Sequence, residues 1–297
     1  MIIDCFPFFN ELDLLEIRLR LLDDIVDRVV LVESTRTFSL NKKKLYYNEN
    51  KERFKKYNKK ITHIIVDSTP ALFDKVFIYR INKIFWRLKN KKSIFLNPHD
   101  IDWHQKDMVR KGLEKCKGDD ILILSDLDEI PDPRIFNNVN FGSEKKVLEL
   151  DNFCYFLNYK VYDRYNNNKI KWLGPVIMNH ENFRSFHTER SEARNVKKEN
   201  SNHNLKIIQN AGWHFSYLGG IKKIQYKIRS AAHTELNTKK INTKENIRKM
   251  INEGFFIDTK TKRNWRPLAE RIEEIFPENL CSIFYDYPHL IRWKSTT

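Results

Sequence analysis

The sequence predicts an α/β fold, with a mostly parallel sheet flanked by helices and a helical region at the C-terminus. Apolar runs at 1–6, 28–33 and 61–66 alternate with helical patterns, and a fourth run covers 121–124. Each run has the length of a buried strand, and polar or acidic residues lie beyond its end. Strands that alternate with helices form parallel sheets, because each helix returns the chain to the start of the next strand.

The first half supports this order element by element. We expect Pro7 to end the first strand and Asn10 to be the N-cap of a helix over 11–24, in which leucines recur at helical spacing. The pattern at 102–116 predicts a further helix, which Gly118 ends just before the central strand.

The second half has a different composition. A strand is predicted at 146–150, and 151–165 is dense in aromatic residues, which form either core or a wall that stacks on sugar rings. Further along, 170–178 predicts a strand pair or a strand and turn, interrupted by Gly174-Pro175, and 188–204 predicts a mobile loop. Helical patterns follow at 220–232, at 243–253 and through the C-terminal third of the chain.

Composition narrows the class of protein. The 297 residues include 54 basic and 39 acidic ones, and the net charge of +15 favours anionic partners without choosing among them. The four cysteines lie far apart, which indicates neither a zinc site nor a disulfide framework. We expect a cytoplasmic protein, because the sequence shows neither a signal peptide nor a transmembrane stretch.

The stretch 119–133 carries the chemistry around which the chain is organised. Its apolar run leads directly into the carboxylates Asp126, Asp128, Glu129 and Asp132. Acids at the exit of a strand lie at the carboxyl edge of the sheet, where open α/β sheets bind ligands. Carboxylates suit Mg²⁺ or Mn²⁺, and a substrate phosphate often completes the ligand shell. The alternative is a solvated acidic turn that caps the next helix.

Four stretches, at 4–18, 31–39, 123–131 and 210–219, carry a resemblance. The sequence resembles glycosyltransferase family 17, which includes the transferase that adds bisecting N-acetylglucosamine. The resemblance implies a GT-A-like, Rossmann-type fold, a nucleotide-sugar donor and inversion at the anomeric carbon. The donor is UDP-N-acetylglucosamine in characterised relatives, so N-acetylglucosamine or a related hexose is expected.

Two features depart from the family. Animal members carry a membrane anchor and a lumenal stem, which we expect this chain to lack, so an N-glycan of a glycoprotein fits less well as the acceptor. The loop after Ser39 reads Leu-Asn-Lys-Lys-Lys where many relatives have glycine.

The resemblance also implies a division of the chain and a set of partners. We expect one GT-A-like domain over 1–297, with a nucleotide-sugar-binding half at 1–140, an acceptor half at 141–240 and C-terminal helices at 241–297. The predicted partners are a nucleotide sugar, UDP-linked in the family, and a glycan or glycoconjugate acceptor. Nucleic acid is not among them, and the basic surface leaves peripheral membrane contact open.

The metal and donor residues follow from the same comparison. We expect Asp128 to bind the metal directly, Asp126 to contact it through water or to contact the ribose, and His214 to add a ligand. Glu129 either orients the waters of the ion or pairs with a lysine. The other candidate donor residues, each with local capping or surface exposure as the alternative, are Asn10, Glu11, Glu33, Ser34, Thr35, Thr37, Gln105 and Arg110.

An inverting transfer also needs a general base within reach of the acceptor hydroxyl. Glu235 is the preferred candidate, Asp151 is the second, and His233 is expected to tune the base or bind the acceptor. Tyr155, Trp172 and Trp213 are candidates for stacking on the acceptor sugar, with a place in the core as the alternative. Two other functions remain open from sequence: a metal-dependent nuclease or phosphotransferase, and a non-catalytic glycan-binding module.

Overall fold

The computed structural model describes residues 1–70, 98–138, 144–196, 205–230, 236–255 and 264–293. Eleven strands in these residues form one sheet. They are β1 Ile2–Phe8, β2 Arg28–Ser34, β3 Ile61–Val66, β4 Ile121–Leu124, β5 Glu129–Pro131, β6 Lys146–Cys154, β7 Tyr159–Asp163, β8 Lys171–Asn179, β9 Lys206–Ile208, β10 Gly212–Ser216 and β11 Trp265–Ala269.

The sheet is mixed, which corrects the prediction of a mostly parallel one. Its first half, in the order β3-β2-β1-β4, is parallel as predicted. The order then continues β8-β6-β7-β11, and five of the ten pairings between described strands are antiparallel. The alternation of strand and helix stops after β4, and short connections such as that between β6 and β7 produce antiparallel neighbours.

Nine α-helices lie in the described part of the chain. They are α1 Leu12–Leu21, α2 Tyr46–Glu49, α3 Pro98–Asp107, α4 Ile135–Asn138, α5 Phe186–Asn195, α6 Gly220–Ser230, α7 Lys244–Glu253, α8 Ile272–Ile275 and α9 Glu278–Tyr285. Turns of 3₁₀ helix cover Lys51–Tyr57, Met108–Gly112, His180–Asn182 and Pro288–Leu290.

Several predicted boundaries are wrong. Residues 188–195, predicted as a loop, belong to α5, whose N-cap Ser185 accepts a hydrogen bond from the Thr188 amide. Pro7 continues β1 opposite Val32 at a point beyond the pairing with β4, where the strand has fewer neighbours and tolerates proline. Glu11, not Asn10, is the N-cap of α1.

Three further elements differ from the sequence interpretation. The helix predicted over 102–116 starts earlier, at Pro98, and changes to 3₁₀ geometry after Asp107. A single strand, β8, runs through Gly174-Pro175. The C-terminal region contains β11 as well as helices, and β11 pairs antiparallel with β7.

The sheet is covered on both faces, which explains the continuous apolar runs of its central strands. Phe6, Leu31 and Ile123 pack on the side of α1 and the C-terminal helices. Val30 and Leu122 pack on the other side, with residues of α5 and the 3₁₀ turn after α3. The apolar residues packed on the two sides of the sheet hold the β4–β5 segment in place, and with it the acidic stretch. Among the described residues, no helix has the length and apolar character needed to cross a membrane.

Candidate active site

Asp126 lies just after β4 and is surrounded by cations. Its Oδ1 is 2.8 Å from Nζ of Lys106 on α3, and its Oδ2 accepts a hydrogen bond of 3.2 Å from Nη2 of Arg190 on α5. Arg194 lies slightly further away, at 3.8 Å. Burial alone would raise the pKa of Asp126, but Lys106, Arg190 and Arg194 outweigh it and hold the pKa well below its usual range. The three cations therefore favour the carboxylate form of Asp126.

Asp128 has two different neighbours, one on each oxygen. Its Oδ2 accepts a hydrogen bond of 2.9 Å from Nζ of Lys227 on α6, and the same ammonium group is 3.3 Å from Oε1 of Glu11 after β1. Its Oδ1 is 3.9 Å from Nε2 of His214 on β10. Burial would lower the pKa of Lys227, but Asp128 and Glu11 outweigh it and raise the pKa, so the ammonium stays charged.

His214 turns its Nε2 toward Asp128. Its Nδ1 lies 3.0 Å from Oδ1 of Asn152, and this contact favours the tautomer in which Nδ1 carries the proton and Nε2 carries the lone pair. The imidazole also stacks on Trp172, with ring centroids 4.3 Å apart. Burial lowers the pKa of His214 despite the nearby carboxylates, which keeps the ring neutral. A lone pair and a carboxylate that face each other attract a cation.

Glu129 and Arg190 form a buried support below this pair of aspartates. Glu129 Oε1 accepts hydrogen bonds of 2.6 Å from Nε1 of Trp172 and of 2.6 Å from Nη2 of Arg190. Its Oε2 accepts a bond of 2.9 Å from the backbone amide of Asp126. Glu129 thus pairs with an arginine, whereas the sequence suggested the waters of an ion or a lysine as its partners. It also orients the start of the acidic loop, which is residues 125–129.

Five of the predicted site residues lie in this neighbourhood: Glu11, Asp126, Asp128, Trp172 and His214. Trp172 has its indole N–H engaged by Glu129 and its ring stacked on His214. It is therefore built into the support of the metal candidate, whereas the sequence suggested that it contacts an acceptor sugar. The predicted residues Glu235 and His233 lie outside the described residues.

Asp151, the second candidate for the general base, is paired with two lysines, and the role stays a prediction. Its carboxylate accepts hydrogen bonds of 2.6 Å from both Lys160 and Lys171. Burial alone would raise its pKa, but these two ammonium groups outweigh burial and lower the pKa. Successive side chains of a strand point to opposite faces of the sheet. On β6 it is the next residue, Asn152, whose side chain faces His214.

Tyr155 and Trp213 are both buried. Tyr155 is 1% exposed, and its hydroxyl donates to the carbonyl of Phe255. Trp213 is 3% exposed and packs edge-on against Phe276 and Phe284 of the C-terminal region. These contacts match the core alternative for both rings, and the acceptor-binding role stays a prediction.

The polar loop after β2 is held mainly by its own contacts. Glu33 is fully buried and accepts from Lys43, His63 and the amide of Tyr47. The hydroxyls of Ser34, Thr35 and Thr37 bond to groups in the same loop or to the end of β3, and the amide of Asn10 donates to Glu11. These contacts match the local alternative for each residue, and the donor-binding role stays a prediction.

Gln105 and Arg110 lie on the side of α3 and its 3₁₀ extension. Gln105 is buried, and its Nε2 donates to the carbonyl of Arg36, which links α3 to the loop after β2. Arg110 is exposed, and its guanidinium donates to the carbonyl of Arg184. A phosphate contact from either residue stays a prediction.

Four important residues of the site were missed from sequence: Lys106, Asn152, Arg190 and Lys227. Lys106 had a weak signal, because it shares the polar side of its helix with Gln105. Arg190 lies in the stretch predicted as a loop, and Lys227 lies on a helix with several other lysines and arginines. Nothing in a local pattern distinguishes these cations from the other basic residues of the chain.

The described residues offer a small ligand set for a metal. They contain no group of three or more histidine, cysteine, aspartate or glutamate side chains placed to hold an ion. The pair formed by Asp128 and His214 nevertheless has suitable chemistry, since one oxygen and one neutral imidazole nitrogen face each other. A pair of protein ligands suffices where substrate phosphates complete the shell.

Comparison with known families shows to which class of protein the chain belongs. The model of glycosyltransferase family 17 matches residues 1–262 of the 297. The chain belongs to glycosyltransferase family 17. A search of curated proteins gives no match. As a glycosyltransferase, the chain takes a sugar donor and an acceptor, and the matched region includes every residue of the acidic loop, α5, β10 and α6 described above.

Proposed function

We propose that this family 17 glycosyltransferase moves a sugar from a nucleoside-diphosphate donor to a hydroxyl of a glycan acceptor, with a divalent cation bound at Asp128 and His214. The donor is a UDP-sugar, and the sugar is N-acetylglucosamine or a related hexose. The transfer inverts the anomeric centre. One observation carries the proposal: Oδ1 of Asp128 and Nε2 of the buried His214 face each other at 3.9 Å.

The donor set favours Mn²⁺ or Mg²⁺. Mn²⁺ accepts both carboxylate and imidazole ligands, and Mg²⁺ binds through one or two carboxylates together with phosphates. Trp172 and Asn152 fix the ring of His214 by stacking and by a hydrogen bond, as neighbours of metal-binding histidines commonly do. When bound, such an ion neutralises the charge that develops on a leaving diphosphate.

The chain's own cations support the same chemistry. Arg194 is half-exposed at the edge of the site, and Lys227 is partly exposed between Asp128 and Glu11. Charged N–H donors in such positions bind phosphate oxygens. Lys106 and Arg190 are less exposed and hold Asp126 ionised. We therefore place the diphosphate on the side of the loop where Arg194 and Lys227 are accessible.

The base for the acceptor hydroxyl is proposed to be Glu235. It follows α6, the helix that carries Lys227, by only five residues. Asp151, the other candidate, is held ionised by two lysines with a lowered pKa, and a carboxylate of low pKa is a weak base.

The test is a panel of nucleotide sugars, with release of the nucleoside diphosphate as the readout. Purified protein is stripped with EDTA and assayed with and without added Mn²⁺, as wild type and as Asp128→Asn. We expect turnover of one UDP-sugar that requires the ion, and a loss on the order of 10²-fold or more in the variant, as when a charge-stabilising group is removed.

A matched control is Asp23→Asn, which makes the same change in a surface ion pair with Lys56 and Lys60. It should keep wild-type turnover. Full turnover after EDTA would contradict the metal, and a panel in which no nucleotide sugar is turned over would contradict the proposed function. Steeply salt-dependent cleavage of nucleic acid would favour the nuclease alternative instead.

A further inference from the structure

Arg18 lies directly beneath the acidic loop, although it is far from that loop in sequence. It is on α1, and it is fully buried. Its Nη1 donates to three backbone carbonyls of the loop, those of Asp126 at 3.2 Å, Leu127 at 3.2 Å and Glu129 at 2.7 Å. Its Nη2 donates to Oγ of Ser125 at 2.6 Å. One side chain therefore bonds to four of the five residues from 125 to 129.

The charge of this guanidinium is balanced inside the protein. Asp4 on β1, which is 1% exposed, accepts from Nε at 2.7 Å and from Nη2 at 2.6 Å. The ring of Phe6 lies 4.6 Å below the guanidinium carbon. Arg18 thus has the bidentate partner that a buried arginine needs, and it still has donors left for the loop.

We propose that Arg18 is the positioning residue of the acidic loop, and that it acts on the site through the backbone. Three carbonyls that point inward to one guanidinium require the chain to curve around it. The side chains of Asp126 and Asp128 are then held outward, toward Lys106 and Lys227, against their mutual repulsion. The consequence for metal binding rests on the proposed function, whereas the ordering of the loop does not.

The curvature also sets the spacing between Asp128 and His214. The carbonyl of Asp128 does not bond to Arg18, and it accepts a hydrogen bond of 2.7 Å from the amide of Phe215. Phe215 is the neighbour of His214 on β10. Arg18 on one side and Phe215 on the other thus tie the loop to α1 and to the histidine strand.

Only arginine has the geometry for this task. Its planar fork presents five N–H donors in fixed directions, whereas lysine has three donors around one point. Arg18→Lys keeps the charge beside Asp4 but cannot reach Asp4, Ser125 and three carbonyls together. The substitution therefore separates the geometric role from the charge.

The first measurement is backbone hydrogen exchange, read by mass spectrometry on peptides that cover 125–130 and 212–217. We expect Arg18→Lys to speed exchange at Asp126 and Phe215 by at least tenfold. Arg28→Lys is the matched control, because Arg28 bonds to the carbonyl of Gly112 and to Cys116, away from the loop. It should leave exchange in both peptides unchanged.

The second measurement is Mn²⁺ binding in the presence of UDP, followed by electron paramagnetic resonance of the free ion. Loss of an interaction that orients a metal ligand typically weakens metal affinity about 10–100-fold, and we expect that loss in Arg18→Lys. Near-UV circular dichroism shows whether the variant is folded. If it is not, Ser125→Ala, which removes one of the bonds from Arg18, should give a smaller change in the same direction.

Wild-type exchange and wild-type Mn²⁺ affinity in a folded Arg18→Lys would overturn the inference, and so would an unchanged loop in Ser125→Ala if Arg18→Lys does not fold. Absence of Mn²⁺ binding by the wild type would contradict the proposed function alone, since the exchange experiment still decides the role of Arg18.

Discussion

Gly174 is a position at which one added atom would meet the residues that support the acidic loop. A Cβ at this residue of β8 would lie 2.5 Å from Oε1 of Glu129, 2.7 Å from Nε1 of Trp172 and 3.0 Å from Nη1 of Arg190. These atoms belong to the buried hydrogen-bonded group that holds Asp126. We predict that Gly174→Ala displaces Glu129 and breaks at least one of its bonds.

The magnitude follows from those contacts. A hydrogen bond to a charged group contributes about 1.5–3 kcal/mol, and overpacking of a core costs about 1–3 kcal/mol. Replacing glycine by alanine returns about 0.4–1 kcal/mol by restricting the unfolded chain. The free energy of unfolding should therefore fall by about 1.5–5.5 kcal/mol, which is large against a total of about 5–15 kcal/mol.

Urea unfolding followed by tryptophan fluorescence measures this change. Gly118→Ala is the control, because the added Cβ there would have only the flexible Glu181 side chain as its nearest contact, with Oε2 at 3.1 Å and Cβ at 3.4 Å. The control should stay within about 0.5 kcal/mol of wild type. A Gly174→Ala protein that is as stable as the control, with unchanged donor turnover, would refute the role assigned to the Glu129–Arg190–Trp172 group.

Three further predictions concern the same framework. Trp172→Phe keeps a ring beside His214 but removes the donor to Glu129, so the free energy of unfolding measured in urea should fall by about 1.5–3 kcal/mol. An unchanged free energy would show that this hydrogen bond contributes nothing to stability. Phe276→Ala should lower the free energy of unfolding by about 3–5 kcal/mol and shift the fluorescence of the adjacent Trp213. A smaller loss of stability would mean that the C-terminal region does not support β10. The lowered pKa of Asp151 means that its ion pairs stabilise the fold above pH of about 4 and lose that effect as the pH falls through the folded-state pKa. Acid unfolding curves of wild type and Asp151→Asn should therefore converge below pH of about 4. Curves that stay parallel would contradict the lowered pKa.

The part of the fold that could be predicted from sequence is the part with local signals. The apolar runs of β3 and β4 have the bounds expected for them, and the carboxylates after β4 lie where acids at a strand end should lie. The pairing of β8 with β4 had no such signal, because an antiparallel neighbour is set by contacts between distant segments.

Helix α5 shows why local patterns fail. Its buried residues include Glu189 and Arg190, which a hydrophobic pattern counts as solvent-facing. They are buried because their partners, among them Lys145 and Glu129, come from other parts of the chain. The same reason hid Arg18, Lys106 and Lys227, since a basic residue reveals its role only when the carboxylate it meets is known.

The most direct test of the account is the stoichiometry and affinity of Mn²⁺ binding with UDP present, compared among wild type, Asp128→Asn and His214→Ala. We predict one ion per wild-type chain and at least tenfold weaker binding in each variant, with Asp23→Asn unchanged. Wild-type affinity in both site variants would contradict the assignment of the metal to Asp128 and His214.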